Sequence, residues 1–91
     1  MLRFEWDSTK AAANAKKHGV SFEEATTAFQ DPLSVTIEDP DHSQHESRFV
    51  TVGRTIHNRT VVVVHTDRNG TIRMISARRA TRPERKQYEE D

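Results

Sequence analysis

Arg54, His65 and Arg78 stand at or near the ends of segments that read as β-strands in this 91-residue chain. Arginine stays charged and grips phosphate oxygens in a bidentate fashion. Histidine exchanges a proton near neutral pH. Gathered on one surface, these side chains would suit cleavage of an RNA phosphodiester without a metal. A base takes the 2′-hydroxyl proton, arginine stabilises the phosphorane-like transition state, and an acid protonates the departing 5′-oxygen. Arg48, Arg73 and Arg79 lie on the same strand segments and would widen the patch for further phosphates. A blander reading stands beside this one. Arg68 and Arg73 flank a hairpin turn and could simply be solvated, and a histidine closing an apolar strand often packs or caps.

Other chemistry-bearing residues carry weaker signals. His42 and His45 lie among Asp39, Asp41 and Glu46, but loop histidines without cysteine or helical spacing are poor metal ligands, so no metal site is expected. Lys10, Asn14 and Lys17 recur at helical spacing and form one polar face, either solvated or bordering the basic strands and adding phosphate contacts. His18, before Gly19, suits a helix C-terminus. Tyr88 could stack on a base or pack a terminal helix. There is no cysteine, no phosphate-cradling glycine loop and no serine-centred catalytic motif, so no cofactor is expected.

The elements that must position these residues follow from patterning. Leu2, Phe4 and Trp6 alternate with charged residues, which predicts a short strand with those three side chains inward. Asp7 or Ser8 can cap a helix over 8–18, and Gly19 ends it in the left-handed conformation. Ser21-Phe22-Glu23-Glu24 forms a capping box for a second helix, with Phe22, Ala25 and Phe29 on one face and Asp31-Pro32 as its stop. Strands are expected over 33–37, 48–54, 59–66 and 71–79, with an acidic loop at 38–46. The valine run 61–64 suggests burial on both faces, and Asn69-Gly70 marks a hairpin turn. Strict alternation puts Ile72, Met74, Ser76 and Arg78 on one face of the last strand and Arg73, Ile75, Ala77 and Arg79 on the other. Thr81-Arg82-Pro83-Glu84 opens a short terminal helix. The class is α+β, one domain over 1–91: an antiparallel β-sheet with two N-terminal helices packed on one face and a short C-terminal helix.

The chain has 14 Lys+Arg against 14 Asp+Glu, a formal net charge of zero, but the halves differ. Residues 1–46 sum to −5 and residues 47–91 to +5; the stretch 47–86 alone reaches +8. Such segregation suggests an anionic partner for the second half, or a fold in which acidic helices neutralise a basic sheet. No window approaches the ~18 apolar residues of a membrane span. The N-terminus has no apolar signal core, so a reducing cytoplasm is the expected location.

Several motifs together resemble the BrnT-type toxins. The front half carries Phe4-Glu5-Trp6-Asp7, Lys10, Asn14, the block Lys17-His18-Gly19-Val20-Ser21-Phe22-Glu23-Glu24-Ala25, and Phe29-Gln30-Asp31-Pro32. The back half carries Glu46-Ser47-Arg48, Gly53-Arg54, Ile72-Arg73-Met74-Ile75-Ser76-Ala77-Arg78-Arg79-Ala80, Glu84-Arg85 and Tyr88-Glu89. The resemblance spans essentially the whole chain. It implies a RelE-like fold and a metal-independent ribonuclease toxin of a type II toxin–antitoxin pair. The implied partners are RNA and a BrnA-like ribbon-helix-helix antitoxin, with operator DNA reached only through the antitoxin complex. Carried over residue by residue, it assigns catalysis to Arg78, to His65 (where some relatives have arginine) and then to Arg54, with Lys10 and Lys17 as further contacts. The alternative is an inactive RelE-like binding module that serves as antitoxin partner and co-repressor. Convergence of Arg54, His65 and Arg78 on one concave surface separates the two, and burial of His65 would remove it from catalysis.

Overall fold

The computed structural model describes residues 2–39 and 47–90. His42 and His45 lie outside the described residues. The order is β1 (Arg3–Glu5), α1 (Ser8–His18), α2 (Phe22–Thr27) continued by a 3₁₀ turn (Ala28–Gln30), β2 (Val35–Glu38), β3 (Arg48–Arg54), β4 (Thr60–Arg68), β5 (Thr71–Arg79) and α3 (Arg82–Glu90).

Local chemistry sets most of these boundaries. The Asp7 carboxylate accepts the Lys10 amide at 3.0 Å and starts α1, and Gly19 ends it at φ 70°. Ser21 caps α2 by accepting the Glu24 amide at 3.0 Å. Glu24 does not complete the capping box. It binds the Arg59 guanidinium and accepts from the Thr55 hydroxyl at 2.8 Å, while Arg59 also donates to the Gly19 carbonyl at 3.0 Å. This tie pins the β3–β4 turn to the corner between the helices. The β4–β5 hairpin turns through Asn69 and Gly70, both at positive φ, as their types favour. Glu84 completes the box that opens α3, accepting the Thr81 amide at 2.8 Å.

The strands form one five-stranded sheet in the order β1-β5-β4-β3-β2. The sheet is mixed, which corrects the antiparallel expectation. β2 to β5 pair antiparallel, but β1 runs parallel to β5, with Phe4 opposite Ile72. Alternation in β1 fixes which side chains face inward, not which strand it joins or in which direction. Leu2 stays 53% exposed, so only Phe4 and Trp6 of the expected trio face the core.

The core lies between α1, α2 and one face of the sheet. Val20, Phe22, Ala25 and Ala28 pack against Val61, Val63, Met74 and Ala77, with edge-to-face contacts of Trp6 on Phe22 and Phe4 on Phe29. Met74 and Ala77 share this face because the β4–β5 register slips between Val64 and His65. Val63 opposes Ala77 and His65 opposes Met74, so β5 spends three residues where β4 spends two. This bulge overturns strict alternation in β5: Met74 joins Ala77, and Arg73 joins Arg78. Gly53 is required where the 3₁₀ turn crosses β3, since a Cβ there would lie 2.7 Å from the Ala28 carbonyl oxygen.

Candidate active site

Register assigns each candidate side chain to a face. Residues paired across a sheet point the same way. Arg78 opposes Val62, Val62 opposes Val52, and Val52 opposes Val35. One row along, Ser76, Val64, Val50 and Ile37 are aligned in the same manner. Beyond the first row, Arg54 opposes Thr60; beyond the second, Arg48, Thr66 and Arg73 align. The face turned away from α1 and α2 therefore carries a valine-rich floor with Arg54 and Arg78 toward one end and Arg48 and Arg73 at the other. With roughly 7 Å for every two residues along a strand, the arginines at the two ends of β3 stand about 20 Å apart.

Helix α3 borders this face. Together with the floor it encloses a cleft of about 480 Å³, lined by Val35, Ile37, Val50, Val52, Val62 and Val64 below, by Arg78, Glu84, Gln87 and Tyr88 at the side, and by Asp39 just past β2. Arg78 donates from both terminal nitrogens to the Glu84 carboxylate, at 2.7 and 2.8 Å. This fork holds Glu84 down at about 2 and raises Arg78 further above its ordinary value. Arg54 reaches Glu89 at 3.3 Å, with both side chains nearly half exposed. The Tyr88 hydroxyl donates to Asp31, which also accepts the Leu33 amide at 2.9 Å and the Arg54 amide at 2.8 Å. Burial and the Asp31 bond push Tyr88 up to about 12. Burial works against the charged form of Asp31, but these donors outweigh it and hold its carboxyl below the usual range.

His65 points the other way. It shares the core face with Val61 and Val63, and only 6% of it is exposed. Nε2 lies 2.8 Å from the Thr51 hydroxyl, which in turn lies 2.7 Å from that of Thr36. Phe29 meets the ring edge-to-face at 5.0 Å, and Phe49 stacks on it at 5.8 Å. Nδ1 is buried with no partner. Burial pushes the ring down to about 4, so it is neutral at physiological pH. The expected convergence of Arg54, His65 and Arg78 does not occur: the arginines share the open face, while His65 is enclosed behind the sheet and cannot reach a substrate there.

The remaining candidates divide similarly. Arg48 and Arg73 are on the open face, and Arg73 lies 3.8 Å from Glu5. Arg79 opposes Val61 and so projects from the core side, exposed; Lys10 and Lys17 are exposed on α1, and none of the three lines the cleft. Asn14 is not part of a polar surface. It is buried, donates to the Val20 and Ala77 carbonyls at 3.0 and 2.8 Å, and accepts the Ala77 amide at 3.1 Å. It thus mimics a strand partner along β5 past the end of β1, one residue before Arg78. Nothing in its spacing distinguishes it from Lys10 and Lys17. The carboxylates of α3 were the other unforeseen part, although Glu84 was already visible as a capping residue.

A model of the family described as "Ribonuclease toxin, BrnT, of type II toxin-antitoxin system" matches residues 6–84. The chain belongs to the BrnT family. Its fold is similar to the crystal structure of the Brucella abortus ribonuclease toxin, BrnT, with a TM-score of 0.66 and 19% identity over 90% of this chain and 100% of that one. The comparison with curated proteins returns no match. The family is one of ribonuclease toxins of type II toxin-antitoxin systems. Among the described residues, no helix is long and apolar enough to cross a membrane.

Proposed function

We propose that this BrnT-family chain is a metal-independent endoribonuclease with Arg78 and Arg54 as the charge-stabilising residues. It acts as one RelE-like domain in the cytoplasm, arrests translation and growth, and is neutralised by a BrnA-like ribbon-helix-helix antitoxin whose complex reaches operator DNA. One observation carries the reading: Arg78 and Arg54 stand on the same open face of the sheet, each paired with a carboxylate of α3. The RNA 2′-hydroxyl gives its proton to water and attacks phosphorus, the bond to the 5′-oxygen breaks as that oxygen takes a proton from water, and the ends are a 2′,3′-cyclic phosphate and a 5′-hydroxyl. Arg78 faces the charge that gathers on the phosphoryl oxygens. Arg48 and Arg73 guide the flanking backbone; Lys10, Lys17 and Arg79 can only reach RNA that wraps past the sheet edge. His65 is left out of the proton transfers. Tyr88 lines the cleft, keeps its proton through neutral pH and gives it in a hydrogen bond to Asp31.

Purified protein incubated with RNA in EDTA tests this. The wild type should cut, and Arg78→Ala should lose at least 100-fold in rate, on the scale of losing one transition-state charge partner, with its circular dichroism unchanged. A second reading, the inactive binding module, is favoured by the absence of His65 from the open face and by the apolar floor. It prevails if the wild type neither cuts RNA at micromolar concentration nor arrests growth without its antitoxin.

A further inference from the structure

Arg78 is the one cation among the described residues that line the cleft, and the carboxylates of Asp39 and Glu84 line it too. The cleft is therefore not a positive field that draws in a phosphate. Arg78 must work there through its placement. A donor already fixed where charge develops in the transition state needs no reorganisation at the moment of reaction.

A guanidinium has two edges that can each grip a pair of oxygens. Glu84 takes the end-on edge of Arg78, from Nη1 at 2.7 Å and from Nη2 at 2.8 Å. Nη1 also donates to the Arg79 carbonyl at 3.3 Å. Nε and the second Nη2 hydrogen form the side-on edge, and neither bonds a described residue. The Arg78 side chain is 40% exposed, so this second edge is what remains for two phosphoryl oxygens.

Glu84 is itself fixed. Its Oε1 accepts the Thr81 amide at 2.8 Å as well, so one carboxylate joins the first turn of α3 to the guanidinium. Held at about 2, it stays ionised through the neutral range. Arg54 has no comparable hold. Glu89 reaches it through one contact at 3.3 Å, between side chains that are both nearly half exposed, and such a pair fixes little.

We infer that Glu84 is a positioning residue of the RNA-cleaving site: its carboxylate locks the end-on edge of Arg78 and presents the Nε–Nη2 edge to the phosphoryl oxygens. This rests on the cleavage reading of the proposed function. The contrary role is a brake, in which Glu84 competes with phosphate for Arg78. A brake would have to occupy the edge that phosphate needs, whereas this fork leaves one open.

Steady-state cleavage of RNA in EDTA by the full-length Glu84→Gln variant tests the inference. Glutamine suits the capping position equally, but it lacks the charge and the second acceptor of the fork. The value of kcat should fall at least tenfold, since small misplacements of a reacting group lose rate steeply. KM should rise no more than threefold, because removing a carboxylate from the cleft does not weaken its hold on a phosphate. Thr81→Ala removes the hydroxyl 3.4 Å from the Glu84 amide but keeps the fork, and should stay within threefold in both constants. A readout independent of activity accompanies these. Nitrogen-15 relaxation of the Arg78 Nε–H, assigned by its disappearance in Arg78→Ala, should show an ordered bond in the wild type and a mobile one in Glu84→Gln. A smaller loss or a gain in kcat, a larger rise in KM, a Thr81→Ala effect beyond threefold, or unchanged Nε–H mobility overturns the positioning role. Cleavage by the wild type with equal cleavage by Glu84→Gln removes that role alone. A wild type that does not cut removes the ribonuclease reading, and the inference with it.

Discussion

His65 is neutral at physiological pH because burial outweighs the attraction of the Asp67 carboxylate: Nδ1 is orphaned and two phenyl rings flank the imidazole. This has a thermodynamic consequence. Above the ordinary histidine value of 6.5 the ring is neutral whether the chain is folded or unfolded, so its titration contributes nothing. Below it, the unfolded chain binds a proton that the folded chain refuses until about pH 4. Stability must therefore fall as pH falls from 6.5 to 4, by on the order of 3 kcal/mol across the window. Glu84, held near 2, adds a separate loss below its ordinary value of 4.5. Urea unfolding of wild type and His65→Gln at pH 7 and pH 4.5 isolates the histidine. The wild type should lose about 2 kcal/mol more between the two pH values than the variant does. Equal losses would falsify the buried, neutral assignment. That His65 shares a face with Val61 and Val63 was legible from period-two spacing alone. That this is the face turned away from Arg78 was not, because it depends on the pairing of β4 with β5.

At the scale of elements, the helix ends and turns were legible because each is set by a local interaction. Asp7, Gly19, Ser21, Asn69-Gly70 and the box Thr81-Glu84 act within a few residues of themselves. The β5 bulge and the parallel docking of β1 were not, since both depend on partners brought from a distance. Asn14 belongs to this second class. It joins α1 to β5 with a pair of hydrogen bonds to the Ala77 peptide and a third to the Val20 carbonyl, all buried. Removing it leaves the Ala77 N–H and two carbonyls without partners in the interior. Each unmet group costs about 1–3 kcal/mol, partly relieved by entering water. Asn14→Ala should therefore destabilise the fold by about 2–4 kcal/mol, lowering Tm by on the order of 10 °C or more in a scanning calorimeter. A loss below about 1 kcal/mol would mean that the clamp contributes little beyond an ordinary surface polar contact. Because the clamp sits one residue before Arg78, the same variant should lose RNA cleavage at temperatures well below its Tm.

For the molecule as a whole, zero net charge hides a separation that the fold converts into geometry. The acidic first half supplies α2 and the β2 edge, and the basic second half supplies the strands whose open face bears Arg48, Arg54, Arg73 and Arg78. The sign of that face was legible in the running charge. Its size was not, because α3 lies beside it and returns Glu84 and Glu89 to two of those arginines. The positive field is thus local and partly neutralised from within, and RNA binding should respond weakly to salt. Each phosphate neutralised on a single strand contributes about −0.7 to the slope of log K against log salt. If only the open-face arginines engage the backbone, the slope should be about −3 or shallower. If Lys10, Lys17 and Arg79 also engage it, RNA must wrap around the edge of the sheet and the slope should approach about −5. Fluorescence anisotropy with a non-cleavable 2′-deoxy-substituted strand between 50 and 200 mM salt distinguishes the two. A slope near −3, unchanged in Lys10→Ala and Lys17→Ala, would confine RNA to the face that bears Arg78.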